Sequence, residues 1–326
     1  MTLLYYNNCS FQLCDDNHIM IIKGNGNLAK NSTFGNILAY VSLVKKAAEY
    51  DGGSDILRIV VCLKFIAHVN KNNVRGIDEG RKISATPPPK ATFELNYPDR
   101  QAIHVALELK NSCNANVTLI SMAPPGCKTV LQEFMGYGID EAVLLSDASF
   151  AGSDTLATSL VLARAVEKLG GCDLVLTGSH STDSDTGQVG PGIGEYLDIP
   201  HAINVTRFED ISTDEVLFHR QHDEGVTTRQ SCRLPAVLSI GGMTAVSELK
   251  PLTIAAKLHA RTKDILVWSC HDLGLDPQTV GLAGSATEVV SVYEQHSERK
   301  GILLESDECL RVLEPIISKI SEVRNG

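Results

Sequence analysis

From Leu57 onward, short apolar runs alternate with amphipathic stretches of helical length, and this alternation constrains the fold more than any other feature. Leu57–Leu63 (LRIVVCL) is almost continuously apolar, as a strand buried on both faces must be. Asp99 is placed to cap a helix reaching about Asn111, with Ala102, Val105, Ala106 and Leu109 on one face. Val117–Ser121 reads as the next strand, Lys128–Tyr137 as a helix and Ala142–Leu145 as a third strand. Asp154 caps a helix through Leu169, and Leu174–Thr177 is a fourth strand that runs into Gly178. Strands separated by helices in this order make βαβ units, which predicts an α/β fold with a doubly wound, mostly parallel sheet and flanking helices. Ligands of such sheets lie beyond the carboxyl ends of the strands. The loops beginning at Lys64, Met122 and Gly178 are therefore where a site is expected. The later runs Val205–Phe208, Glu215–His219, Thr227–Ser231 and Ala236–Ile240 carry hairpin-like punctuation. They predict a few antiparallel strands that extend the sheet or flank it.

The chain divides near residue 55. Residues 1–55 form an Asn-rich extension in which only Phe34–Tyr50 has helical spacing, through Ile37, Leu38, Val41, Val44 and Ala48. Asp51-Gly52-Gly53-Ser54 reads as a linker. Residues 56–292 carry the alternating pattern, and 293–326 read as a helical tail. Gly24-Asn25-Gly26-Asn27 is half a dinucleotide fingerprint, without the third Gly that opens a helix. A polar excursion with Pro87-Pro88-Pro89 separates the first strand from the Asp99 helix.

Composition excludes several classes. The 326 residues are 43% apolar, enough for a sizeable core, and carry a formal charge of −10, which disfavours a sequence-independent hold on nucleic acid. No apolar run approaches the length of a spanning helix. The first twenty residues lack a basic region and include Asp15 and Asp16, and no Arg precedes Arg58, so a cytoplasmic location is expected. The nine cysteines are scattered without a C-x-x-C, which argues against a disulfide framework, a zinc ribbon or an iron–sulfur site. His219-x-x-His222 lacks a third ligand and reads as a pair of turn histidines, so no metal is expected.

The segment richest in chemistry is Gly178-Ser-His-Ser-Thr-Asp-Ser-Asp-Thr-Gly-Gln-Val-Gly-Pro191. Asp183, Ser184 and Asp185 are helix-capping types, and Gly178, Gly187 and Gly190 allow close backbone approach. Free amides at a helix start here would suit a phosphate or diphosphate, although an ordinary capped loop has a similar composition. Pro191 would kink a helix starting at Thr186, and suits one starting nearer Gly190.

This loop, taken with Arg58-Ile-Val-Val-Cys-Leu-Lys64, closely resembles the beta (small) subunit of electron-transfer flavoproteins. Supporting segments are Leu95–Ala102, Met135–Asp147, Phe150–Thr155, Val267-Trp268, Asp272–Pro277 and Val280–Ser285. The match spans residues 57–292 and leaves 1–55 without a counterpart. Membership implies a nucleotide-binding α/β fold and an obligate alpha-subunit partner. One branch of the family holds AMP in the beta subunit; the electron-bifurcating branch holds FAD there. Asp183, Asp185, Thr186, Gln188, Val189, Gly190 and Pro191 follow the FAD-holding pattern. Departures fall at Ser179-His180, at Asn96-Tyr97-Pro98-Asp99 and at Lys64-Phe-Ile-Ala-His68, and bear on ligand contacts more than on the fold.

Carried over by resemblance, Cys62 lends backbone to an adenine pocket, Asn96 and Asp99 bind adenosine, and Met122 sits over it. Gly178, Asp183, Asp185, Thr186, Gly187, Gln188 and Val189 hold phosphates, with His180 a hydrogen-bonding neighbour. The redox chemistry then belongs to the cofactor and no catalytic side chain is expected. In the bifurcating reading NADH is the donor, and the electrons part between the alpha-subunit flavin and ferredoxin or flavodoxin. The acid-free stretch Lys250–Lys263 corresponds by resemblance to the family's partner-recognition loop and its basic sequel, in which Ile254, with Leu252 beside it, takes the place of the apolar anchor for an acyl-CoA or other dehydrogenase. From composition alone it is equally a solvated helix face. The alternatives are a carrier without bifurcation, holding AMP, and a nucleotide-binding interaction protein without redox function.

Overall fold

The computed structural model describes residues 3–6, 9–15, 18–22, 56–68, 92–223, 225–242, 249–288 and 313–315. The expected helix at 34–50, its linker, the GNGN motif, the triple proline and nearly all of the C-terminal tail lie outside the described residues. The chain separates into two compact units, residues 1–78 with 84–288, and residues 79–83 with 289–326.

Three strands near the N-terminus, β1 (Leu3–Tyr6), β2 (Cys9–Asp15) and β3 (His18–Ile22), form an antiparallel meander. The main sheet begins with β4 (Arg58–Leu63). β5 (Phe65–His68) and β6 (Thr92–Leu95) pair as a hairpin ladder that leads into α1 (Tyr97–Cys113). Then follow β7 (Asn116–Met122), α2 (Lys128–Phe134), β8 (Glu141–Leu145), α3 (Thr155–Lys168), β9 (Leu174–Gly178) and α4 (Val189–Leu197). Strands β10 (His201–Ile211), β11 (Glu215–Gln221), β12 (Thr227–Arg233) and β13 (Ala236–Ile240) come next. The described part closes with α5 (Ile254–Arg261), β14 (Leu266–Trp268) and α6 (Gly281–Gly284).

The nine strands of the main sheet run in the order β12-β11-β10-β13-β9-β4-β7-β8-β14. All neighbours from β10 to β14 are parallel; β11 and β12 are antiparallel additions. Side chains alternate between faces. Ile59, Val61 and Leu63 pack under α1 with Ile103, Ala106 and Leu109, while Val60 and Cys62 face Val161, Ala165 and Ile193 of α3 and α4. Burial on both sides is why these strands read as unbroken apolar runs.

Three sequence expectations need correction. The late strands are not all antiparallel: Ala236–Ile240 is fully buried and lies parallel between β9 and β10, in the middle of the sheet. Its five residues are apolar but for Ser239, the pattern of a central strand rather than of an edge. Asp99 does not cap α1. Pro98 presets the first turn, Asn96 takes the cap position, and Asp99 turns inward. Likewise α4 starts at Val189 after Gln188, so Asp183, Ser184 and Asp185 are loop residues. Pro191 then falls in the first turn, where a missing N–H costs nothing. Asp154 does cap α3, accepting from Ala157 N at 3.0 Å.

Candidate functional site

The strand order reverses at β4. From β4 the chain moves outward to β7 and β8, then returns to place β9 on the other side of β4. The crevice at such a reversal is where loops from both directions part and leave room. Here it lies beyond the ends of β4 and β9, bounded by Lys64 and by the loop from Gly178 to Gln188.

Two buried side chains of α1's first turn hold these ends together. Asp99 Oδ2 accepts from Lys64 N at 2.7 Å, and Oδ1 accepts from Gly178 N at 3.1 Å and Asn96 Nδ2 at 3.1 Å. Burial lifts the Asp99 carboxyl to about 7, against the pull of these donors and of the Lys64 ammonium. Asn96 Nδ2 also donates to His180 O at 2.8 Å, while Asn96 Oδ1 accepts from Thr182 N at 3.1 Å. A Cβ on Gly178 would overlap Asp99 Oδ1, so only glycine fits between strand and helix start. Asn96 and Asp99, expected as adenosine contacts, here fix the loop's path through these hydrogen bonds.

The loop itself is open to solvent from Thr182 to Thr186. Lys64 Nζ reaches across to Asp183 Oδ1 at 2.6 Å and donates to Ser181 Oγ at 3.2 Å. Burial works against the Asp183 charge, but the lysine and the serine hold its carboxyl below the ordinary value. Asp185 and Gly187 adopt left-handed backbone, with φ of 51° and 63°. Asp185 N closes the turn onto Ser181 O at 2.8 Å. Gln188 Oε1 accepts from Thr155 Oγ1 at 2.8 Å, which ties the start of α4 to the start of α3. The α4 amides of Val189 and Gly190 belong to a first turn without intrahelical acceptors. Gly190 lies against the paired hydroxyls of Thr177 and Ser239, 2.9 Å apart, and a Cβ there would overlap Ser239 Oγ.

Of the expected site residues, Asn96, Asp99, Gly178, His180, Asp183, Asp185, Thr186, Gly187, Gln188 and Val189 are gathered at this one end of the sheet. Cys62 is buried at the end of β4 and Met122 ends β7, the next strand over. Burial raises the Cys62 thiol strongly, which keeps it inert. Leu252 and Ile254 stand elsewhere, by α5; Leu252 packs near Gly136 and Ile254 is 80% exposed. Sequence reasoning missed Thr155, Thr177 and Ser239 as supports of the loop. Ser239 is a lone hydroxyl in an apolar run, the kind of residue that marks a specific contact.

The donor set of this crevice consists of an ammonium, hydroxyls and helix-start amides, with Asp183 offset by Lys64. It suits an anionic group such as a nucleotide phosphate. A parallel sheet with such a crevice at its reversal defines a doubly wound α/β protein of the nucleotide-binding kind. The comparisons agree. Residues 90–273 match the electron transfer flavoprotein domain. An electron transfer flavoprotein subunit beta from Clostridium acetobutylicum is 36% identical over 241 residues, covering 72% of this chain and 86% of that protein. The caffeyl-CoA reductase-Etf complex subunit CarD of Acetobacterium woodii is 32% identical over 272 residues, 82% of this chain and 98% of that one. Protein FixA of Azorhizobium caulinodans is 33% identical over 244 residues, 73% and 84% respectively. The chain belongs to the electron transfer flavoprotein family as a beta-type subunit, and it resembles the electron-bifurcating branch. Among the described residues no helix is long and apolar enough to cross a membrane.

Proposed function

We propose that this chain works in a heterodimer with an alpha subunit, holds FAD in the crevice at the β4/β9 reversal, and takes part in flavin-based electron bifurcation. The observation that carries the reading is the solvent-open loop between Lys64 and the helix start at Val189, exposed over residues 182–186, with small Ser184 and left-handed Gly187 in it. Cys62 and Met122 would flank the adenosine, Asn96 and Asp99 would support it, and the 178–189 run with Lys64 would meet the phosphates. When bound, FAD would supply two-electron and one-electron chemistry in one molecule, and the chain's part would be to hold and position it. The likeness to a subunit of a caffeyl-CoA reductase-Etf complex supports association with an acyl-CoA-type dehydrogenase; NADH as donor and ferredoxin or flavodoxin as the second acceptor belong to the bifurcating reading itself. Acid release of the cofactors from the purified complex tests the reading. Two FAD per heterodimer are expected. One FAD with one AMP would make this a simple carrier, the second reading, whose ligand needs only one phosphate pocket.

A further inference from the structure

The charges around the 178–188 loop do not balance. Asp183 and Asp185 both lie in it, and the ammonium within reach, Lys64 Nζ, is held by Asp183 Oδ1 at 2.6 Å and Ser181 Oγ at 3.2 Å. Among the described residues, two carboxylates against one ammonium leave a formal charge of −1 before any ligand arrives. Asp99 beneath the loop adds no positive charge, and the first turn of α4 (Val189, Gly190, Pro191) brings no ionisable side chain. A phosphate settling here adds like charge to a site already short of cation.

Among the described residues, one group facing the loop can correct this. His180 is held at its backbone, where its carbonyl accepts from Asn96 Nδ2 at 2.8 Å, and at its ring, where Nδ1 lies 2.8 Å from the hydroxyl of buried Ser179. That leaves Nε2, 3.9 Å from Asp185 Oδ1. This is within ion-pair range but too long for a hydrogen bond, so among the described residues the nitrogen has no hydrogen-bond acceptor. Imidazole is the side chain whose charge changes around neutral pH. We propose that His180 takes up a proton when a nucleotide diphosphate occupies the loop, making binding and protonation mutually reinforcing. Linkage requires the reciprocal effect: affinity rises as the pH falls. The inference rests on the reading that this loop holds phosphates.

The test uses ADP-ribose, whose internal diphosphate keeps its charge across the pH range, titrated onto the full chain in complex with its partner subunit after nucleotide removal. Calorimetry in two buffers of different ionisation heat counts the protons. Net uptake at pH 7 is expected, with Kd about tenfold tighter at pH 6 than at pH 8. His180→Gln should bind ADP-ribose with the uptake and the pH slope cut by about half or more, what remains belonging to Asp99, whose carboxyl burial lifts to about 7 beneath the same loop. His180→Arg, with its fixed charge, should bind at pH 8 as tightly as the unaltered chain does at pH 6. Uptake as large in His180→Gln as in the unaltered chain, or equal affinity at both pH values in the unaltered chain, overturns the proposal. Failure of the unaltered chain to bind ADP-ribose at any pH overturns the phosphate-loop reading itself, and is thereby distinguishable.

Discussion

Asp99 Oδ1 stands 3.1 Å from the amide nitrogen of Gly178, and the other oxygen of the same carboxyl takes the amide of Lys64. One side chain thus joins the ends of two adjacent parallel strands under the ligand crevice. Asp99→Asn would turn an NH₂ group against one of these N–H donors, leaving it buried and unpaired. The cost expected is about 2–3 kcal/mol, read from urea unfolding. A change below about 0.5 kcal/mol would refute the role assigned to this carboxyl.

The same group makes that cost depend on pH. Burial raises its folded-state value from 3.8 to about 7, so the folded chain holds the proton more tightly than the unfolded one between these values. Its contribution is therefore fully present below about pH 4 and is lost as the pH rises through 7. Glu108, raised by burial to about 7, acts in the same direction, while His104, lowered by burial, opposes it. The difference between the unaltered chain and Asp99→Asn isolates the Asp99 share. Asp99→Asn should cost more at pH 5 than at pH 8, and a cost that grows toward pH 8 would contradict the assignment.

Ser121 Oγ is fully buried at the end of β7 and has no hydrogen-bond partner among the described residues. Removing an unsatisfied hydroxyl takes away a desolvation penalty, at the expense of a very small cavity. Ser121→Ala is expected to be neutral or to stabilise by up to about 1 kcal/mol. Thermal unfolding that shows a clear loss would mean the hydroxyl has a partner when the complex is assembled.

Gly190 offers the opposite case. A methyl group there meets Ser239 Oγ and lies 2.9 Å from Thr177 Oγ1, both on buried strands that cannot retreat. Gly190→Ala should push α4 off the sheet and destabilise by about 1–3 kcal/mol, with weaker nucleotide binding. Unchanged stability and affinity would show that α4 sits less closely than described.

Ile254, 80% exposed at the start of α5, contributes little to the fold, and Leu258 one turn on is 57% exposed. Ile254→Ser should leave the unfolding midpoint within about 0.5 kcal/mol of the original. It should raise the Kd for the partner dehydrogenase severalfold or more, measured by surface plasmon resonance. Loss of stability without loss of docking would place this residue in the fold instead.

The parallel sheet was legible because strands buried on both faces leave unbroken apolar runs, as residues 59–63 and 174–176 do. Asp154 was recognisable as a cap because the cap and its helix are neighbours in sequence. The loop at 178–191 stood out through its glycines and acids for the same local reason. What escaped was non-local. Nothing near Asp99 reveals that its partners are Lys64 and Gly178, and the inward turn of that carboxyl follows from how α1 crosses the ends of β4 and β9. The placement of Ala236–Ile240 was misjudged because its hairpin neighbours suggested a continuing meander, whereas its own apolar run already matched a central strand. The pairing of Thr177 with Ser239 depends on that placement and could not be seen before it.

The late insertion of β13 between β9 and β10 also sets an order of events during synthesis. Until residue 240 has been made, β9 presents an unpaired edge on the side away from β4, and β10 has no parallel neighbour against which to settle. Long-range pairing of this kind is slow, and open apolar edges are prone to wrong partners. The nascent chain must therefore keep its ligand crevice half-walled while the antiparallel arm β10–β12 is still emerging. A truncation ending before Ala236 would release a sheet with an open seam beside the crevice, a species to be found with chaperones or in aggregates rather than with its redox partners.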